Sequence, residues 1–266
     1  MKVVLALALL VATATAGTIP SGGRITNGDV ASPGQFPYQT GLSLEMDGGN
    51  AWCGGTLISN QWIVTAAHCT VDAKAVTVYL GATNIKDDNE PGQLRVYVPG
   101  SGIFTHEKYN GLTITNDIAL IKLPAPIEFN ELIQPASLPK KSEQYSTYVG
   151  DKVVASGWGK DSDSATSVSP VLNYIDTTVI SSKTCNLYYL GMITPNMICI
   201  SGKNGRSTCN GDSGGPLVLP ENGENVLIGS TSFGISLGCE VGWPGVFTRT
   251  TSYLDWIESK TGPINN

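Results

Sequence analysis

Short segments that alternate apolar and polar residues recur along this chain, and no other feature constrains its fold as much. Val76-Thr77-Val78-Tyr79-Leu80, Leu94-Arg95-Val96-Tyr97-Val98 and Ile118-Ala119-Leu120-Ile121 are examples. Val153 to Ala155, Tyr174 to Val179 and Val226 to Ile228 continue the series. A period of two places alternate side chains on opposite faces of a strand. Turn-forming clusters separate the segments: Gly48-Gly49-Asn50, Asp87 to Gly92, Asn222-Gly223. Only 14% of residues are charged and 31 are glycine, which suits a turn-rich β protein. Many short strands at even spacing predict an all-β barrel or sandwich. Two stretches read as helical, Ser181 to Leu190 and Ser252 to Lys260; in the second, Tyr253, Leu254, Trp256 and Ile257 form an apolar face. Polar, patternless Leu138 to Thr147 reads as a linker between two lobes.

The first residues are read as a leader outside the fold. Lys2 precedes an apolar run from Val3 to Ala12, and Ala14-Thr15-Ala16 offers a small-residue cleavage site. The run is too short for a bilayer, which needs about 20 residues. Residues 1–16 are therefore expected to be a secretory signal, the protein extracellular, and membrane insertion absent. In an oxidising compartment, the six cysteines at 53, 69, 185, 199, 209 and 239 point to three disulfides. Spacing alone leaves their pairing open. A metal site is disfavoured, because the chain has two histidines and no C-x-x-C. Lys2 and Arg24 are the only charges in residues 1–24, so a chain starting at Ile25 holds 14 bases and 22 acids, a net −8. That balance argues against nucleic acid as the main partner.

One serine is crowded by small residues. Gly211-Asp212-Ser213-Gly214-Gly215 fits G-x-S-x-G, the nucleophile elbow of α/β-hydrolases. That elbow needs a histidine later in the chain and a helix after the serine. No histidine follows His106, and Pro216-Leu217-Val218-Leu219 reads as a strand. A histidine base for Ser213 must lie upstream. His68 follows the apolar run Trp62-Ile63-Val64 and two alanines, whereas His106 stands among polar residues and reads as a solvated loop residue. A serine hydroxyl is barely ionised at neutral pH, so it needs such a base. The base in turn needs an acid to hold its tautomer. Asp117 opens the apolar strand Ile118 to Ile121 and is the candidate.

His68 in Thr65-Ala66-Ala67-His68-Cys69, Asp117 in Asn116-Asp117-Ile118-Ala119-Leu120 and Ser213 in Gly211-Asp212-Ser213-Gly214-Gly215-Pro216 occur in the order His, Asp, Ser. With Cys53-Gly54-Gly55, Ser156-Gly157-Trp158-Gly159 and Tyr253 to Ile257, they make the chain resemble the chymotrypsin-fold serine proteases, the trypsin/chymotrypsin superfamily. The resemblance spans residues 25–260 and is nearest in pattern to arthropod digestive chymotrypsins and crustacean collagenolytic proteases. It implies an all-β fold of two six-stranded antiparallel β-barrels, with the active site between them and a C-terminal helix. The expected division is 25–140 for the first barrel and 141–266 for the second with the helix. His68 is implied as general base, Asp117 as its orienting acid and Ser213 as nucleophile, with the N–H groups of Gly211 and Ser213 as oxyanion hole. The implied disulfides are Cys53–Cys69, Cys185–Cys199 and Cys209–Cys239.

The same resemblance implies a precursor cut after Arg24. The freed ammonium of Ile25 would pair with Asp212. Residues 17–24 are then the pro-segment, and Ile25-Thr26-Asn27-Gly28 departs from the usual Ile-Val-Gly-Gly at Thr26 and Asn27. Ser207 is the implied pocket floor and carries no charge, while Gly234 and Gly245 leave the walls open. A deep neutral slot suits Phe, Tyr, Trp or Leu and disfavours arginine, so a trypsin-like activating protease is an expected partner. Ser232, Phe233 and Gly234 are expected to bond an extended substrate as an added strand. Phe233 stands where relatives carry Trp, and Ala82 where they carry a calcium-loop acid. Asp87, Asp88 and Glu90 are therefore read as a solvated loop, with no calcium, other metal or cofactor expected. The expected protein is a secreted digestive endopeptidase acting on protein and peptide substrates, open to protein inhibitors and monomeric. Broad, elastase-like or collagenase-like specificity is the alternative within the class. An inactive binding homologue is the alternative outside it, and the intact triad argues against that.

Overall fold

The computed structural model describes residues 25–234 and 237–264. The expected signal and pro-segment lie outside the described residues. The first lobe is one antiparallel sheet. It contains β2 (Gln39–Met46), β3 (Gly49–Leu57), β4 (Trp62–Thr65), β5 (Ala75–Leu80), β6 (Leu94–Pro99), β7 (Ile103–Thr105) and β8 (Ala119–Lys122). Their order across the sheet is β6-β5-β2-β3-β4-β8-β7. The edge strands β6 and β7 are consecutive in the chain and joined by a single 3-10 turn, Gly100–Gly102. The chain therefore bends from one edge of the sheet to the other and curls it into a barrel. Counted as one bent strand, β6 and β7 reconcile the seven observed strands with the six expected. The barrel is filled by Leu42, Leu44, Leu57, Ile63, Val76, Val78, Val98 and Ile121.

The second lobe comprises β9 (Lys152–Gly157), β10 (Asn173–Ile180), β11 (Met197–Ile200), β12 (Pro216–Glu221), β13 (Glu224–Phe233) and β14 (Gly245–Arg249). These six close on themselves, because β10 pairs with both β11 and β9 and β9 pairs with β12. A seventh strand, β1 (Asp29–Val30), adds to β10 through Asp29 opposite Tyr174. Residues 25–30 thus lie on the second barrel, although the sequence division grouped them with the first. Ile25 is fully buried there among Val153, Ala155, Ile175, Ile198 and Phe247. Asn222-Gly223 makes the tight turn of the β12–β13 hairpin, with φ of 53° and 83°. Asn and Gly are the residues that tolerate two successive positive φ angles there.

The lobes meet on a third apolar layer. Tyr38, Ile58, Val64 and Leu120 of the first lobe touch Val218 and Leu227 of the second. The C-terminal helix α3 (Leu254–Thr261) adds Tyr253 and Ile257 to this layer. A helix expected to belong to the second lobe therefore straps both lobes together. Trp158 is fully buried at the seam and donates Nε1–H to the Thr83 carbonyl at 3.0 Å. Two short helices complete the fold, α1 (Ala67–Thr70) and α2 (Ser182–Tyr189). The Ser181 side chain caps α2 by accepting from Thr184 N–H.

The disulfides are Cys53–Cys69, Cys185–Cys199 and Cys209–Cys239. The first ties β3 to α1 and the second ties α2 to β11. Replacing Cys185 and Cys199 together by alanine is expected to lower stability by about 3 kcal/mol, read as a lower urea midpoint with a slope equal or steeper, since the freed unfolded chain exposes more surface. In the loop around Asp87, Asp87 and Asp88 are exposed as read, and Glu90 departs from the reading. Glu90 is turned inward, where its carboxylate accepts from Thr83 N–H at 2.8 Å and Asn84 N–H at 2.9 Å. It stitches its own loop rather than standing in solvent, because two otherwise unpaired N–H groups face it. Among the described residues, no helix is long and apolar enough to cross a membrane.

Candidate active site

His68 is the second residue of α1, immediately after the fully buried β4. Its backbone N–H donates to Asp117 Oδ1 at 2.9 Å, and its Nδ1 lies 2.8 Å from Asp117 Oδ2. Asp117 is only 1% exposed. Ser232 Oγ donates a third bond to Oδ2 at 2.5 Å, and Thr248 Oγ1 donates to the Asp117 carbonyl at 2.7 Å. A buried carboxylate is tolerable because these donors replace lost water. The carboxylate also selects the histidine tautomer: Nδ1 carries the proton, and Nε2 is left to accept one. Ser232 was expected only as a substrate contact. Its second role, bracing Asp117, has no signal in sequence spacing.

Ser213 sits in the turn between Cys209 and β12. Asp212 N–H donates to Cys209 O, and Gly215 N–H to Asp212 O, each at 2.9 Å. Gly214 has φ +78°, and a Cβ there would stand 2.1 Å from Thr65 Oγ1 and 3.0 Å from Ala66 N. The serine turn is therefore pressed against the segment that leads into α1, the helix that carries His68. Gly54 N–H of β3 donates to the Ser213 carbonyl at 2.7 Å and holds the turn from the other side. Gly211 has φ +102°, and a Cβ there would meet Val168 Cγ1 at 2.6 Å. Only glycine combines that conformation with that approach.

Asp212 is fully buried, and burial pushes its carboxyl up to about 7. Gly159 N–H donates to its Oδ1 at 2.7 Å and Cys209 N–H to its Oδ2 at 2.9 Å. These two N–H bonds pull in the opposite direction and only partly offset the desolvation.

Beside Ser213 opens a cavity of about 310 Å³. Ser207, Asn210, Thr231, Phe233, Gly234 and Trp243 are among the residues that line it. Among the described residues, a Cβ on Gly234 would meet nothing within 4 Å. A Cβ on Gly245 would lie 3.4 Å from Ser207 Oγ, so Gly245, expected as a wall, stands beside Ser207 but is not among the residues that line the cavity. Trp243 was not anticipated. It packs edge-on to Tyr189, which in turn packs against Phe233 and donates its hydroxyl to Pro244 O. The other wall, Gly238 and Cys239, is held by Asp163, whose Oδ1 accepts from Cys239 N–H at 2.6 Å.

His106 belongs elsewhere. Its ring stacks 4.8 Å from Trp256 and 5.6 Å from Tyr253, so it docks α3 instead of standing solvated as its polar neighbours suggested. Partial burial lowers its pKa. Among the described residues, the two side-chain groups spaced for a metal both include disulfide sulfurs: Cys53 and Cys69 with His68, and Cys209 and Cys239 with Asp163. Those sulfurs are not thiolates and offer poor ligands.

Two barrels, a hydrogen-bonded His–Asp pair and a serine turn pressed against the segment that leads to the histidine define a serine protease of the chymotrypsin fold. The chain belongs to the trypsin family, whose model, described as Trypsin, matches residues 25–257. It is 42% identical to Brachyurin of Leptuca pugilator over 90% of this chain and 99% of that protein. It is 41% identical to Collagenase of Hypoderma lineatum, over 99% of this chain and 100% of that protein. Serine protease 1 of Drosophila melanogaster is 44% identical over 90% of this chain and 86% of that one. A solved structure titled HL collagenase superposes with a TM-score of 0.79 at 40% identity, covering 90% of this chain and 99% of that one.

Proposed function

We propose that this trypsin-family serine protease is a secreted endopeptidase, made as a precursor, with a chymotrypsin-like preference for large apolar residues before the scissile bond. The observation that carries the chemistry is the His68 Nδ1 to Asp117 Oδ2 bond at 2.8 Å beside the Ser213 turn. His68 Nε2 takes the Ser213 hydroxyl proton as Oγ attacks the scissile carbonyl carbon. Gly211 and Ser213 N–H groups receive the oxyanion. His68 then returns the proton to the departing amine as the C–N bond breaks, leaving an acyl-serine. Water attacks that ester by the same route, with His68 again as base, and frees Ser213. Asp117 keeps its charge throughout and stabilises the imidazolium.

The neutral floor at Ser207 and the wall without a side chain at Gly234 support the preference for Phe, Tyr or Leu. Burying such a side chain stabilises binding by about 1.5–3 kcal/mol. Cleavage after Arg24 by a trypsin-like protease would begin the mature chain at Ile25. Such a pocket does not favour arginine, so self-activation is expected to be slow.

The test is kcat/KM on peptides differing only at the residue before the cut: Phe, Tyr, Leu, Ala and Arg. Trypsin would cut the precursor and then be removed. Phe, Tyr or Leu should lead Arg by at least about 10²-fold; a lead for Arg would sink the pocket reading. Gly234→Val should cut the Phe rate by about 10²-fold, and the Ala rate by much less, because its methyls enter the open slot. A second reading, collagen cleavage, is favoured by the 41% identity to Collagenase of Hypoderma lineatum. Digestion of native triple-helical collagen, compared with gelatin, decides it.

A further inference from the structure

Three side chains of the N-terminal segment, Thr26, Asn27 and Asp29, reach the loop that carries Ser207. Thr26 is fully buried, and its Oγ1 donates to the carbonyl of Ser207 at 3.1 Å. Asn27 Nδ2 donates to Gly205 O at 3.2 Å and Asn204 O at 3.4 Å. Asp29 Oδ2 accepts from the Arg206 guanidinium at 3.3 Å. The same loop backs onto the pocket wall: a Cβ on Gly202 would stand 2.0 Å from Trp243 O, and one on Gly205 would stand 2.8 Å from Glu240 O. Residues 202–207 are thus clamped between the N-terminal segment and the wall. Asn27 holds its place with φ 59°, a left-handed conformation that Asn adopts more readily than most residues.

We propose that Thr26 and Asn27 are positioning residues for the specificity pocket, setting the height of the Ser207 floor through side-chain bonds. The proposal rests on the protease reading above and goes beyond it. It separates two effects of the docked N-terminus: Ile25 and Asp212 govern the oxyanion turn, while Thr26 and Asn27 govern the pocket. The Thr26 bond is buried, so losing it leaves the Ser207 carbonyl without that donor and without water. Such a loss is worth about tenfold in an equilibrium. Of the Asn27 bonds, that to Asn204 O is exposed and that to Gly205 O half-buried, so they are worth less.

The experiment uses full-length precursor cut with trypsin, with the new N-terminus at Ile25 checked by sequencing. Indole binding reads the pocket. Hydrolysis of p-nitrophenyl acetate, whose acetyl group is too small to fill the pocket, reads the serine, histidine and oxyanion hole. Thr26→Val is isosteric and removes the donor; Thr26→Ser keeps it; Asn27→Gly keeps the left-handed backbone and removes the amide. Indole should bind about tenfold more weakly to Thr26→Val and about threefold more weakly to Asn27→Gly. Thr26→Ser should stay within about twofold of the parent, and ester hydrolysis should move by less than about threefold in all three. Unchanged indole affinity in Thr26→Val and Asn27→Gly overturns the proposal. So does a parallel fall of indole affinity and ester hydrolysis, which would mark a general loosening of the segment. If Thr26→Val does not fold, the exposed Asn27→Gly change carries the same comparison. A cut parent that hydrolyses no ester overturns the protease reading, and this proposal with it.

Discussion

Ser213→Ala is expected to lower kcat by about 10⁶-fold while leaving KM for a good peptide within a few-fold. The argument is geometric. Asp117, held by three hydrogen bonds and 1% exposed, orients His68 and leaves its Nε2 free of that carboxylate, to serve the Ser213 hydroxyl in the proposed mechanism. The pocket and oxyanion donors survive the substitution, so a residual rate about 10³–10⁴ above water should remain. His68→Ala should cost a similar factor, and Ser213→Ala with His68→Ala no more than either alone, because the two groups act in one proton transfer. Circular dichroism should show an unchanged fold. If Ser213→Ala kept more than 1% of the parent rate, another nucleophile would have to be sought. If the double variant fell far below both single ones, the two residues would be acting independently.

Arg24→Gln is expected to give a folded precursor about 10²–10³-fold less active after trypsin treatment than the cut parent. The reason lies in Asp212. Its carboxyl is fully buried with two N–H donors, and burial raises its pKa from 3.8 to about 7. Without a nearby cation this arrangement costs roughly 4 kcal/mol at pH above 7. In the proposed scheme an ammonium at Ile25 would supply that cation, and removing one member of such a buried pair typically costs about 3–5 kcal/mol. The raised carboxyl also fixes the sign of a pH effect. The docked precursor binds this proton more tightly than the unfolded chain does. That contribution is fully present below about pH 4 and is lost as pH rises toward 7. The Arg24→Gln precursor should therefore melt at a higher temperature at pH 5 than at pH 8, and adding Asp212→Asn should remove most of that difference. A precursor with full activity would refute the activation scheme. A melting difference insensitive to Asp212→Asn would refute the electrostatic part alone.

Strand positions with clear alternation were legible in the sequence. Val76 to Leu80 falls in β5, Leu94 to Val98 in β6 and Tyr174 to Val179 in β10. The long hairpin of β2 and β3 was not. Gly54 and Gly55 carried no strand reading, yet they lie within β3, where Gly54 approaches Gly215 and donates to Ser213. A glycine that serves a distant backbone looks the same in sequence as one that serves a turn. His106 and Glu90 were misread for a related reason. Polar neighbours suggested solvent, but each is covered by residues distant in the sequence or by a turn of its own loop. Trp243 in the pocket and Ser232 against Asp117 were equally silent, since neither carries a local pattern that marks its contact.

The sequence by itself determined the local terms: strand period, turn chemistry, an even cysteine count, and the order of one histidine, one aspartate and one serine. These follow from side-chain alternation and residue chemistry, which act within a few residues. Only the tertiary structure decided how β6 and β7 close the first barrel, that β1 and Ile25 belong to the second, and that α3 straps both. It also decided that the departures at Thr26 and Asn27 reach the Ser207 floor across some 180 residues of chain. Such contacts depend on packing between distant segments, where burial and hydrogen bonding are settled by the whole fold and not by neighbours along the chain.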